Sequence, residues 1–350
     1  MSAIDGEPVR RVLVGAVVAA FVAALAATAD AQSVRQAMQQ DPACQSLTPA
    51  AAGGPLPRSP ETAVVRWLGT TNYELVYRDQ IFLIDTYYER VPRMRPIGVA
   101  PGDFTKATAI FIGHPHADHV SDAPVVARQT GATVTGAEHV RVVLAKGGLP
   151  ERQFRAVKGG EVFEYRGVVV EAVKGHHNVI ESTLPAGFRA KMLEALEAAA
   201  LQQPYTEEEQ TRAAAVSARG NSDPDIIANG TINYLFTLGN GFRMVFVDSP
   251  GPVTDGQRAL MQKIPDVDVA MLPYFNFEAG IPPLVELVKT FKPATVFLGH
   301  HDWFGTMGWA SNYPPAYAIR HLSPTTRTLD VLYLTPVCFN TTTKDMVIGW

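Results

Sequence analysis

Three imidazoles and a carboxylate fall within six residues, in the run His114-Pro115-His116-Ala117-Asp118-His119. Imidazole and carboxylate together suit zinc and similar borderline cations. Burying this many polar groups with no cation among them would be costly, so the alternative is a solvated His-rich loop. The other histidines argue against scatter. Of nine in the chain, seven lie in clusters (His114, His116, His119, His176, His177, His300, His301), and only His139 and His321 stand alone. Two further clusters each close an apolar run: Gly175-His176-His177-Asn178 after Val168 to Val173, and His300-His301-Asp302 after Val296-Phe297-Leu298-Gly299. Asp85 closes Leu83-Ile84 and Asp248 closes Met244 to Val247, and an acid at the end of an apolar strand is expensive unless paired or metal-bound. For Asp248 the structural alternative is an Asp capping the following turn.

These residues need elements that end at one place. The run Thr108 to Gly113 reads as a short buried strand. Side chains alternate along a strand, so four ligands can converge only from the loop beyond it. Strand signals also cover Val64 to Leu68, Tyr73 to Tyr77 and Ile81 to Asp85, with a hairpin at Arg78-Asp79-Gln80. Thr86 to Thr105 has no clear period. Helices are expected over Ala123 to Gln129 and Val140 to Lys146, with a strand near Thr133-Val134 between them. Glu161 to Val173 reads as two strands turned at Arg166-Gly167. Thr231 to Leu238 and Phe242 to Asp248 are joined by Gly239-Asn240-Gly241, a strong hairpin signal. Val267 to Leu272, Ala294 to Gly299 and Leu329 to Leu334 complete the strands. Strands in both halves with helices between them imply an α+β chain built as a four-layer αββα sandwich.

Leu184 to Gly220 interrupts the strand pattern. Phe188, Met192, Leu196 and Ala200 recur at helical spacing, Thr206 and Glu209 have capping-box spacing, and Gly220 offers a stop. The segment reads as a helical insertion that begins beside the His176-His177 loop. A lid or pocket wall and ordinary core packing are both open readings.

With 350 residues, 47% of them hydrophobic and 18% charged, the chain can bury a sizeable core. Its net charge of −4 gives no electrostatic case for a nucleic-acid partner. Arg10-Arg11, the apolar run Val12 to Ala27 and Ala29-Asp30-Ala31 make residues 1–31 a signal peptide by pattern, with an uncleaved anchor as the alternative. The expected location is the periplasm, or a secreted one. No later stretch is long and apolar enough to span a membrane. Residues 32–61 read as an extended lead-in rich in Ala, Pro, Gly and Gln, and the main domain as 62–350. Cys44 and Cys338 would form one disulfide in an oxidising compartment or remain two free thiols.

His-x-His-x-Asp-His after a strand resembles the metallo-β-lactamase fold superfamily of metal-dependent hydrolases, and the resemblance covers about Val64 to Leu334. Trp67-Leu68-Gly69, the strand pair ending at Leu83-Ile84-Asp85 and the run Phe297 to Phe304 look most like the branch that includes ascorbate-phosphate lactonase and N-acyl-ethanolamine phospholipase D. The resemblance implies two divalent cations, zinc (Zn2+) with Mn2+ or Fe2+ as alternatives. It assigns His114, His116 and one of His176 or His177 to the first. The branch's spacing favours His177, and a Gly-His pattern found elsewhere in the superfamily favours His176. Asp118, His119 and His300 go to the second, and Asp248 bridges both, although Val247 stands where the family usually has Gly. Asp85 would support the site without binding metal, His301 and Asp302 would orient ligands from behind or simply be solvated, and His176, His301, Asp302 and Asp85 stand as the alternative ligands. Asp118 would also accept or relay a proton as the catalytic acid-base group. The chemistry implied is hydrolysis of an ester, lactone, amide or phosphodiester bond in a small-molecule or lipid-like substrate, by hydroxide generated at the metals. An iron-dependent redox enzyme and a non-catalytic metal-binding protein are the other classes open to this fold.

Overall fold

The computed structural model describes residues 32–177, 204–223, 230–274, 281–302 and 311–349. Its strands form two sheets. In spatial order the first contains Met346–Ile348, Pro336–Asn340, Thr62–Trp67, Tyr73–Tyr77, Gln80–Ile84, Ala109–Phe111, Thr133–Ala137 and Phe154–Val157. The second contains Arg327–Leu329, Pro293–Gly299, Val267–Pro273, Phe242–Phe246, Ile232–Leu238, Val168–Lys174 and Val162–Tyr165. Each sheet is antiparallel on one side and parallel on the other. Pairing in the first turns parallel from Gln80–Ile84 onward. Pairing in the second is parallel from Phe242–Phe246 through Arg327–Leu329.

Alternation along the strands explains the layering. Met244 and Phe246 enter the core between the sheets, while Val245 and Val247 enter a second core beneath the outer helices. Val269 and Met271 against Ala270 and Leu272, and Phe297 against Val296 and Leu298, repeat the split. A strand buried on both faces reads as a continuous apolar run, as these do. Rings from the two sheets meet in the middle: Phe82 and Phe236 lie 5.9 Å apart, Phe111 and Tyr234 4.9 Å, and Tyr73 and Phe297 6.1 Å between centroids. Outside the second sheet, Leu260, Leu284, Leu287, Phe291 and Ile319 cover the other face from helices Asp255–Lys263, Ile281–Phe291 and Tyr313–Leu322. Outside the first, helices Ala123–Thr130 and Glu138–Lys146 bury Val126, Ala127, Val140, Val143 and Leu144. This is the expected αββα sandwich, and each such Val, Leu, Ile, Phe or Met side chain contributes about 1.5–3 kcal/mol of burial.

Most hairpins follow the sequence reading. Tyr77 pairs with Gln80, so the first turn is the two residues Arg78-Asp79, with Arg78 at φ 58°. Leu238 pairs with Phe242 across Gly239-Asn240-Gly241. Several expectations fail. Phe154–Val157, Pro336–Asn340 and Met346–Ile348 are strands that local pattern did not announce, and the strand expected over Leu329 to Leu334 lies earlier, at Arg327–Leu329, sharing only Leu329. The motif is not wholly loop, because a single helical turn, Ala117–Val120, carries Asp118 and His119.

Residues 32–61 are not an extended lead-in. They hold a helix over 32–39 and 3-10 turns at Pro42–Cys44 and Ala50–Ala52, and bury Met38, Ala43, Cys44, Ala50 and Ala51. They also seal a buried ion pair. Arg66 Nη1 lies 2.9 Å from Glu74 Oε2 with both side chains fully buried. Arg66 Nη2 donates to the carbonyls of Ala43 (2.8 Å) and Ser46 (3.1 Å), and Ala51 N donates to Glu74 Oε1 (2.7 Å). The physical reason is hydrogen-bond satisfaction, since a buried ion pair needs partners for its remaining donors and acceptors. Cys44 and Cys338 form a disulfide across 294 residues that ties the same segment to strand Pro336–Asn340.

Of the insertion, Phe188, Met192, Leu196 and Ala200 lie outside the described residues, as does the leader 1–31. Its second helix, Glu207–Ser217, has the Thr206–Glu209 capping box. Val216 packs on Tyr87 and Met94, Glu209 pairs with Arg93, and Tyr205 Oη donates to Pro92 O at 3.1 Å. This half of the insertion is therefore seated on the 87–94 loop. Among the described residues no helix is long and apolar enough to cross a membrane.

Candidate metal centre

Parallel strands pointing the same way end on the same rim of the sandwich, and the loops beyond them share that rim. Gln80–Ile84 delivers Asp85, Ala109–Phe111 the His114 loop, Phe242–Phe246 Asp248, and Pro293–Gly299 His300. Val168–Lys174 delivers His176 and His177 from the antiparallel side. Three groups of ligand-type atoms converge there, each with its atoms within 4.8 Å of one another: His114, His116 and His177; His114, His119 and Asp248; Asp118, His119 and His300. His114 Nε2 is 2.8 Å from His116 Nδ1, and the His177 ring is 4.8 Å from that of His114 and 5.0 Å from that of His116. In the second half, Asp118 Oδ2 lies 3.2 Å from His300 Nε2 and 3.7 Å from His119 Nε2. The His114 and His119 rings, 3.9 Å apart, make the two halves neighbours.

Asp248 contacts both halves. Its Oδ2 is 2.6 Å from His114 Nδ1, and its Oδ1 is 3.0 Å from His119 Nδ1. The second contact is close enough for Coulomb attraction but lacks hydrogen-bond geometry, which leaves a fully buried carboxylate oxygen without a hydrogen bond. Gly113 is forced here, because a Cβ at that position would collide with the Asp248 carboxylate. Asp85 Oδ2 accepts from Thr71 Oγ1 at 2.7 Å and sits 2.8 Å from His119 Nδ1, while its Oδ1 accepts from Gly113 N at 2.9 Å. A carboxylate behind an imidazole in this way fixes the tautomer and aims the other nitrogen.

Burial pushes His114 down to about 3 and His116 down to about 4, so both are neutral imidazoles, the form that binds cations. Burial would raise Asp118 and Asp248, but His119 and His300 hold Asp118 low, and His114 and His119 hold Asp248 low, so both stay ionised. His119 goes the other way. Burial opposes its charge, yet Asp118, Asp85 and Asp248 outweigh burial and raise it well above the usual histidine value. Asp118, Asp85 and Asp248 thus crowd His119 in a site where His114 and His116 stay neutral. That imbalance, the orphaned Asp248 oxygen and the His/Asp donor set all fit divalent cations.

The other expected residues separate. His177 joins a cluster and His176 does not, its Nδ1 lying 2.7 Å from the His177 carbonyl. His301 stacks on Trp67 at 4.4 Å and Asp302 binds Arg90, so both lie behind His300. Sequence reasoning missed Thr71, Arg90 and Tyr333. Thr71 carried a faint signal, standing in the polar Thr70-Thr71-Asn72 turn between two strands, while Arg90 and Tyr333 sit in stretches with no pattern.

A family model described as a β-lactamase superfamily domain matches residues 80–195, the stretch that carries the motif and the His176-His177 loop. Over these residues the chain is similar to the metallo-β-lactamase superfamily. A UPF0173 metal-dependent hydrolase of Methanobrevibacter smithii is 28% identical over 138 residues, covering 38% of this chain and 55% of that protein. The chain spans about half the length of the curated relatives it matches. Igni18, a metallo hydrolase from Ignicoccus hospitalis, shares the fold with a TM-score of 0.55 at 14% identity, covering 79% of this chain and 98% of its own. The β-hydroxylase CmlA of Streptomyces venezuelae shares it with a TM-score of 0.50 at 13% identity, covering 82% of this chain and 54% of its own.

Proposed function

We propose that this chain is an exported hydrolase of the metallo-β-lactamase superfamily whose rim would hold two divalent cations, zinc first. The observation that carries the reading is the pair of adjacent donor sets, His114/His116/His177 and Asp118/His119/His300, with Asp248 contacting one imidazole of each. When bound, the cations would supply Lewis acidity and acidify a water. The chain's own groups do the rest. Asp85 and Thr71 hold His119 from behind. Asp118 is the carboxylate that can move a proton, since its side chain is 12% exposed whereas those of Asp85 and Asp248 are fully buried. It remains ionised and so can accept one.

The bond cleaved is an ester, lactone, amide or phosphodiester in a small-molecule or lipid-like substrate, with the lactonase- and phospholipase D-like branch as the nearest analogue. Export is supported by the Cys44–Cys338 disulfide, a bond that persists in oxidising compartments. The test is a panel of esters, lactones, amides and phosphodiesters assayed before and after chelation and on re-addition of Zn2+, Mn2+ or Fe2+. Turnover of one class that vanishes with chelator and returns with metal is expected. Unchanged turnover in chelator would refute a metal-dependent mechanism, and dioxygen-dependent product formed only with iron would favour a redox enzyme.

A further inference from the structure

His300 is a candidate ligand on a strained backbone. Its φ is 65°, in the left-handed region that non-glycine residues rarely occupy. Thr70, directly opposite, is also left-handed at φ 48°. The two strained residues are joined: His300 N donates to Thr70 O at 2.7 Å, and Thr70 N donates to Asp302 Oδ1 at 2.9 Å. Trp67 Nε1 donates to the same Thr70 carbonyl at 2.7 Å. Behind them stands Arg90, buried among Asp302 Oδ2 (2.8 Å), Tyr333 Oη (2.7 Å) and Thr70 Oγ1 (3.0 Å). Tyr333 Oη donates to Asp302 Oδ2 at 2.5 Å, which completes a closed ring of partners.

The geometry points to Arg90, with Asp302 and Tyr333, as a clamp that holds His300 in its left-handed conformation and so sets the affinity of the Asp118/His119/His300 site alone. Strained backbone persists only where its surroundings over-determine it. Here both sides of the strained pair are tied to one guanidinium, whose planar fork a lysine cannot reproduce. The contacts of Arg90 named here run through Thr70 and Asp302 to the His300 side of the centre, so the effect is expected at that site. Arg90 is a positioning residue, since it acts through His300. The inference rests on the two-cation reading above.

The experiment is titration of the metal-free full-length chain with Zn2+ by calorimetry, for the wild type, Arg90→Met, Arg90→Lys, Tyr333→Phe and His300→Ala. The wild type should show two sites. Arg90→Met should weaken one of them roughly 10–100-fold, the range for outer partners of metal ligands, and leave the other unchanged. Arg90→Lys should recover little of the loss, and Tyr333→Phe should weaken the same site less. Adding Arg90→Met to His300→Ala should cause no further loss, because both act through one imidazole. If Arg90→Met does not fold, Tyr333→Phe decides, since it deletes a single hydroxyl. Wild-type affinities at both sites in the folded variants, or equal weakening of both sites, would overturn the clamp and leave the two-cation reading standing. A wild type that binds no Zn2+ would overturn that reading and the clamp with it.

Discussion

His114, His116 and His177 meet as three imidazoles, two of them partly open to solvent, whereas Asp118, His119 and His300 meet with two of the three buried and carboxylates on every side of His119. In the first set burial keeps His114 and His116 neutral, and Asp248 stands behind His114. The second is backed by Asp85, Thr71 and the Arg90–Asp302 ring. On the two-cation reading, the open half would leave room for substrate and the braced half would fix charge and geometry. Asp248 is where the two designs meet.

The largest effect should come from removing that junction. Asp248→Ala takes a partner from both His114 and His119, so turnover should fall by more than the roughly 100-fold typical of an outer partner, and bound metal should drop below the wild-type value. Full metal content with wild-type turnover would show that Asp248 joins nothing.

Next in size is a break of the open half alone. His177→Ala should lose one cation per chain and most activity, while His176→Ala, whose ring points away to a backbone carbonyl, should keep both. The reverse pattern in elemental analysis would mean that the loop presents His176 to the metal.

Acid and alkali should separate the halves more gently in the metal-free chain. Unfolded, His114 and His116 take up protons below 6.5, but folded they do so only near 3 and 4. Stability therefore falls as pH drops from about 6.5 toward 4. His119 is raised, so its contribution is complete below 6.5 and is lost as pH rises through its folded value. Thermal melts across pH should show the acid-side loss shrink in His116→Ala and the alkaline-side loss shrink in His119→Gln. Identical profiles in both variants would remove the electrostatic distinction.

The smallest effect on the centre should come from the far staple. Cys44→Ser with Cys338→Ser should cost about 2–5 kcal/mol of stability, yet leave metal content and turnover per folded chain unchanged. Loss of metal in that variant would mean that the frame and the centre are not separable.

Much of this was legible in the sequence where chemistry and period coincide. Val245 and Val247 alternate with Met244 and Phe246 because both sheet faces are buried, so the strand announced itself and its terminal Asp248 stood out. The histidine clusters marked the strand ends that share a rim. What escaped was set by tertiary partners. Strand Phe154–Val157 is only partly buried, with Arg155 and Ala156 exposed, and has little apolar signal of its own. Residues 32–61 look like a linker because their small side chains carry no period, yet they fold against Arg66 and Glu74, whose need for partners is invisible in one dimension. Asp85 and Asp302 were visible as acids near strand ends, but the Arg90 and Tyr333 that pair with Asp302 come from loops with no pattern at all.

The three overlapping donor groups make the proposal of two cations directly testable. The measurement is anomalous diffraction at the zinc edge from crystals of the zinc-loaded chain. Two peaks are expected, one among His114 Nε2, His116 Nδ1 and His177, the other among Asp118, His119 Nε2 and His300 Nε2. A single peak among His114, His119 and Asp248, or none on this rim, would contradict it.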